Sequence, residues 1–244
     1  NTAVGYQAGY NNTTGPRVTY VGKGAGYTNA TSGDNTAVGY NALTLNTGGA
    51  NTALGATALD ANTTAAYNTA VGYAALGANT TGTQNVAIGA LTLDANTTAD
   101  SNTAVGYASL AVTTTGSNNT AVGHDCLDNN TTGATNTAVG DSALGANTTA
   151  SNNTAVGYAA LLDNTTGTLN TGLGVQALAN NTTGANNTAV GVNSLYTATT
   201  AADNTAVGYN SLFANTTGVN NVGVGVNSLD ANTTGNNNTG LGTN

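Results

Sequence analysis

The residues with chemical potential in this chain are few, and most of them recur. Asn-Thr-Thr stands at Asn12, Asn62, Asn79, Asn96, Asn130, Asn147, Asn164, Asn181, Asn215 and Asn232. The tripeptide fits the N-x-[ST] acceptor of N-glycosylation, in which the side-chain amide nitrogen takes the sugar. It is equally turn chemistry, since Asn and Thr side chains hydrogen-bond to nearby backbone. Glycans a strand spacing apart, about 4.8 Å, would crowd one another unless every site splayed outward. Both readings stand at this point.

The run His124-Asp125-Cys126 places an imidazole and a thiol two residues apart, on one face if the chain is extended there. Cys126, however, occupies a place that other copies of the pattern fill with Ala or Ser, and in one case with Thr92. The expectation is a small buried residue beside a variable surface histidine. The ten acidic residues are all Asp, and four of them (Asp60, Asp94, Asp128 and Asp230) recur at one repeat position. One carboxylate per repeat does not form the converging pair that acid–base catalysis requires. The calcium-binding solenoid motif G-G-x-G-x-D is absent, and Gly22-Lys23-Gly24 lacks the strand-to-helix setting of a phosphate loop. No catalytic residue, metal ligand or cofactor site is expected.

These residues are positioned by a tandem repeat, N-T-A-V-G-Y-x-A-L-x-x-N-T-T-G-x-x, forming one continuous array over residues 1–244. Units start at Asn1, Val18, Asn35, Asn51, Asn68, Asn85, Asn102, Asn119, Asn136, Asn153, Asn170, Asn187, Asn204 and Asn221, with a partial unit over 238–244. Each step is seventeen residues except that from Asn35 to Asn51, which is sixteen. The register suggests an excerpt of a longer chain. Position 4 is always aliphatic, position 5 always Gly, and position 9 Leu except at Gly9 and Gly26. Thr-Ala-Val alternates with a period of two, as in a short strand. The Gly suits a bend with positive φ or a close approach, and the Asn-Thr-Thr-Gly segment suits a turn.

One unit as one coil of an all-β parallel β-solenoid follows, with about fourteen coils and like residues stacked in columns. The expected core is one position-4 and one position-9 residue per coil: Val38, Leu43, Val71, Leu76, Val105, Leu110, Val139, Leu144, Val156, Leu161, Val207 and Leu212. Two hydrophobes per coil make a thin core. Small residues at position 3, placed opposite the Val face, would let another chain approach closely. A homo-oligomer, most simply a trimer, is therefore expected, with end-to-end assembly into a filament also open.

Composition narrows the partners. Charged residues are 5% and the formal net charge is −8, with Arg17 and Lys23 as the only basic side chains. Two cations cannot form the positive stripe that nucleic acid demands. No apolar run is long enough to insert into a membrane as a helix. One cysteine cannot form an intramolecular disulfide. Tyr recurs at position 6 (Tyr6, Tyr40, Tyr73, Tyr107, Tyr158 and Tyr209), either as ordinary surface or as an aromatic ladder for a glycan or a neighbouring chain. The Thr13 and Thr14 columns raise an ice-binding alternative.

The string Asn-Thr-Ala-Val-Gly-Tyr-x-Ala-Leu resembles repeat arrays of phage tail-fibre-like and bacterial surface proteins. More distantly it resembles the β-roll head repeats of trimeric autotransporter adhesins, whose core is [SN]-x-A-[IV]-G. The resemblance covers essentially the whole chain, best from Asn35 to Gly242. It implies left-handed coils assembled as trimers, in an extracellular fibre at a cell surface or on a virion, attached to surface glycans or a host receptor. It implies no active site. The adhesin repeat is shorter than seventeen residues, so a different cross-section is expected here, with Asn-Thr-Thr-Gly as an added loop.

Overall fold

A computed structural model describes residues 1–243. It is an all-β parallel solenoid with fifteen three-residue strands, and no helix occurs among the described residues. The chain divides into two compact units, Asn1–Asn119 and Thr120–Asn244. The first holds β1 (Thr2–Val4), β2 (Thr19–Val21), β3 (Thr36–Val38), β4 (Thr52–Leu54), β5 (Thr69–Val71), β6 (Val86–Ile88) and β7 (Thr103–Val105). The second holds β8 (Thr120–Val122), β9 (Thr137–Val139), β10 (Thr154–Val156), β11 (Thr171–Leu173), β12 (Thr188–Val190), β13 (Thr205–Val207), β14 (Val222–Val224) and β15 (Thr239–Leu241). Within each unit every strand pairs in parallel with the next, position onto identical position: Thr69 onto Val86, Ala70 onto Ala87, Val71 onto Ile88. The sixteen-residue coil keeps this register, because Ala37 pairs with Ala53 and the missing residue is absorbed after Asn46.

Three residues cannot make a stable strand alone, so the backbone of each coil bonds to its neighbours almost all the way round. Thr69 N–H donates to Asn85 O, Leu76 to Thr92, Ala78 to Asp94 and Thr80 to Thr97, all on the following coil. Gly72 donates to Leu54 O, Ala74 to Ala56 and Gln84 to Ala66, all on the preceding one. This satisfies the obligatory donors and acceptors of a chain that is mostly turn.

The Gly at position 5 is required twice over. Gly72 has φ of +140°, and a Cβ there would lie 2.3 Å from Gly89 O on the next coil. Positions 7, 9 and 17 also take positive φ, and all but a few are not Gly; Ala74, Leu76 and Gln84 are at +53°, +52° and +60°. Each therefore accepts a backbone region that L residues visit rarely. From Leu43 to Leu212 the Leu of position 9 accepts that strain because its side chain is the one large hydrophobe enclosed in its coil.

The core differs from the expected one in half of its residues. Leu43, Leu76, Leu110, Leu144, Leu161 and Leu212 are fully buried. The position-4 residues are not: Val38, Val71, Val105, Val139 and Val207 are only half-buried, and Val156 is 38% exposed. The Ala of position 3 points inward in their place, at 0% exposure in Ala37, Ala70, Ala104 and Ala138. The cause is the Asn at position 1, which is buried. With a period of two, an inward Asn sets position 3 inside and positions 2 and 4 outside. Position 3 must also be small, since even a Cβ added at Gly172 would sit 3.4 Å from Leu161 Cγ.

Tyr20 is the one large residue at position 3, and it faces Gly at position 9 on both its own and the preceding coil. A Cβ on Gly9 or Gly26 would come within 2.9 Å or 2.5 Å of the Tyr20 ring. The ring thus takes the volume that Leu fills elsewhere. Its hydroxyl accepts from Asn29 Nδ2 at 2.5 Å.

Candidate functional site

Eight of the ten sequon asparagines lie inside the coil and two, Asn12 and Asn232, are half-buried, a placement that favours the turn-and-ladder reading over glycosylation. Asn62, Asn79, Asn96, Asn130, Asn147, Asn164, Asn181 and Asn215 are at 0% exposure. Their Nδ2 atoms, where a glycan would attach, are donors inside the coil. Asn79 Nδ2 donates to Gly82 O at 3.0 Å and to Asn62 Oδ1 at 2.8 Å. Asn12 and Asn232 are half-buried and make the same inward bonds, to Gly15 O and Gly235 O. At the eight buried sites a sugar on Nδ2 would require both the space and the protons that this packing uses.

Two asparagine ladders result. At position 12 each amide donates to the carbonyl oxygen of the amide one coil back, as in Asn46–Asn62–Asn79–Asn96 and in Asn130–Asn147–Asn164–Asn181, at 2.7–3.1 Å. At position 1 the Nδ2 closes the coil on itself: Asn68 Nδ2 donates to Gly82 O at 2.9 Å, fourteen residues on. Its Oδ1 accepts the backbone N–H of Asn85 on the next coil at 2.9 Å. Gly82 O therefore accepts from two side chains, one on each of its lone pairs. The first ladder stops where Ala198 follows Asn181, and Asn181 Oδ1 is left buried with no hydrogen-bond partner. Asn96 Oδ1 is in the same position where Thr113 comes next.

Cys126 and His124 do not form a nucleophilic pair. Cys126 is fully buried, and burial pushes its thiol up to about 12, far from a thiolate at neutral pH. Its Sγ–H points at Ala138 O, at 3.3 Å. Ser211 uses the same place in its coil to donate from Oγ to Gly223 O at 2.9 Å. Cys126 is thus a sulfur analogue of a repeated Ser contact. His124 lies outside, with Nδ1 at 3.4 Å from Asp125 Oδ2 and 3.6 Å from Asp141 Oδ2. An open groove beside it is lined by Asp125, Asp128, Asn129 and Ser142. Among the described residues no three His, Cys, Asp or Glu side chains are placed to hold a metal ion.

The acids of position 10 are partly sheltered rather than grouped. Burial raises the carboxyls of Asp60, Asp94 and Asp128 above their ordinary value. Asp34 is lowered instead, because Arg17 bonds it through Nε at 2.5 Å and Nη2 at 2.7 Å.

The outward columns remain. Position 2 presents Thr, or Val at Val86 and Val222, and position 4 an aliphatic residue, with Leu54 47%, Ile88 41%, Val122 36% and Val224 37% exposed. No charged residue occurs at either position in any coil. After the bend at Gly, position 6 presents Tyr40, Tyr73, Tyr107, Tyr158 and Tyr209, each more than half exposed. The two Thr columns are unequal. Position 13 is mostly half-buried, its hydroxyl donating to the position-13 carbonyl of the next coil, as Thr80 Oγ1 does to Thr97 O at 2.9 Å. Position 14 is exposed.

The sequence misses the inward asparagines and the outward aliphatic column together, because one follows from the other. The signal was present in the near-invariant Asn at position 1, which is no surface residue when it shares a strand face with an invariant small one. Comparison with known protein families, with curated proteins and with solved structures finds no match to this chain.

Proposed function

We propose that this chain is a non-catalytic structural and adhesive segment of an extracellular fibre or surface filament, built to associate with copies of itself. The supporting observation is the outward Thr–Val face. Within each of the two units an outward aliphatic side chain on every coil, without one intervening charge, forms an apolar stripe of the kind that marks an interaction surface. A second copy offers the same stripe at the same spacing, so ladder meets ladder rung by rung. The trimer implied by the resemblance is the simplest closed form of this contact. The low charge and the lone buried thiol suit an exterior setting in which neither charge repulsion nor disulfide exchange disturbs the array.

The residues that could do chemistry support the same reading. The thiol is a packing group, the histidine is at the surface, and the amides are consumed by the ladders. Sedimentation tests the proposal. The wild-type chain is expected to sediment as a multiple of 23.6 kDa. Val71→Lys with Val105→Lys is expected to yield monomers with unchanged circular dichroism, since both side chains point outward and Lys can extend into water. A wild-type chain that stays monomeric at high concentration would contradict it.

A further inference from the structure

In the unit Asn1–Asn119 the position-6 tyrosines are not scattered. They stand at Tyr6, Tyr40, Tyr73 and Tyr107, on every second coil, with Lys23, Ala56 and Ala90 between them. The backbone shows these seven residues to be successive rungs. Position 7 of each coil donates to the position-6 carbonyl of the coil before, as Thr57 does to Tyr40 and Leu91 to Tyr73, at 2.8 Å and 2.9 Å. Adjacent rungs are one strand spacing apart, so the tyrosines recur about every 9–10 Å. The four rings are 69%, 51%, 60% and 52% exposed in chain order. Between two of them the side chain is a methyl group, and Lys23 lies over the Tyr40 ring with Nζ 5.7 Å from its centroid.

We infer that this column is a binding track for an extended, uncharged β-1,4-linked polysaccharide. In such a ribbon each pyranose is turned over relative to the last, so the same face returns every second sugar. That two-sugar repeat has the length of two coil rises. An aromatic ring offers the apolar C–H face of a sugar a flat, electron-rich partner, and the Ala rungs leave clearance for the sugar that faces away. Charge selects within the class. Columns 2, 4 and 6 of this unit contain no acid and one Lys, and the whole chain has two basic residues against ten Asp. A sulfated or uronic-acid polymer finds no cationic track here, whereas a neutral one meets no repulsion. Position 7 supplies a polar group next to two of the four rings, at Gln7 and Asn41, and one on the rung between Tyr40 and Tyr73, at Thr57. The other two tyrosines, Tyr158 and Tyr209, are three coils apart and do not continue the spacing.

This inference deepens the adhesive part of the proposed function and uses column 6, whereas self-association is assigned to column 4. Retention on microcrystalline cellulose and on chitin powder tests it, the two solids distinguishing glucose from N-acetylglucosamine as the unit recognised. The wild-type chain is expected to partition onto at least one of them. Tyr40→Ala with Tyr73→Ala is expected to weaken retention about tenfold or more. Tyr73→Ala with Ala90→Tyr keeps the number of rings, breaks the two-coil spacing, and is expected to weaken it as much. Tyr158→Ala is expected to leave it unchanged. No retention on either solid overturns the inference, and so does a spacing variant that binds like the wild type. Sedimentation of the same variants reads self-association separately: if Tyr40→Ala with Tyr73→Ala dissolves an oligomer and no glycan is retained, the column is a contact between copies and the inference fails while the fibre reading stands.

Discussion

At the residue scale, the same side-chain type has opposite meanings according to which way the coil turns it. Asn at positions 1 and 12 is interior, and the buried amides offset their desolvation because nearly all of their donors and acceptors find partners, Asn96 Oδ1 and Asn181 Oδ1 being the exceptions. Asp shows the other side of that rule. Asp60, Asp94 and Asp128 are sheltered without a cation, so the fold favours their protonated form. A carboxyl raised in the folded state contributes most below its unfolded value, here 3.8, and that contribution is lost as pH rises through the raised native values. Asp34 acts in the opposite sense, but it is fully exposed and its ion pair is screened. Acidification from pH 7 also discharges a chain of net charge −8. Thermal unfolding followed by circular dichroism is therefore expected to show a midpoint at pH 3 no lower than at pH 7. A midpoint that falls steadily through the carboxylate range would show that paired carboxylates, not sheltered ones, dominate.

At the scale of the element, the coil was legible in the sequence and its sidedness was not. The seventeen-residue period, the Gly bend and the Leu column can be read directly, because each recurs for one reason with few exceptions or none. Gly72 has nowhere to place a Cβ, and Leu76 is the only large side chain its coil can enclose. The aliphatic column at position 4 is invariant for a different reason, since it lies outside, and invariance alone does not distinguish a core from a contact surface. Asn-Thr-Thr likewise reads as a loop because its residues are polar, yet only the second Thr faces water freely. The ladders also make a defect visible within one element. Ala198 ends the run of position-12 amides and leaves Asn181 Oδ1 buried and unpartnered. Ala198→Asn is expected to supply the missing donor and stabilise the fold by about 1 kcal/mol. That corresponds to a rise of roughly 2–4 °C in Tm for a chain of this length. A lower Tm would mean that the backbone there has relaxed around the smaller residue.

At the scale of the molecule, the array does little with any single residue and much with their repetition. A repeat protein draws its stability from each unit's contact with the next, and here that contact is largely hydrogen bonding: backbone to backbone around the coil, amide to amide inside it. One Leu per coil is too little apolar burial to hold seventeen residues by itself, which is why the interior is completed with asparagine. Central to this fold is the enclosure, in most coils, of two asparagines, at positions 1 and 12, bonded from coil to coil; Val18, Thr113 and Ala198 interrupt the pattern. Hydrogen exchange of side-chain amides, read by nuclear magnetic resonance in deuterated water, addresses it most directly. Strong protection is expected for the side-chain amides at positions 1 and 12 of the coils that carry Asn at both, including Asn68, Asn79, Asn147 and Asn164, beside fast exchange at exposed Asn. Uniformly rapid exchange of all the asparagine amides, in a chain whose backbone amides remain protected, would contradict it.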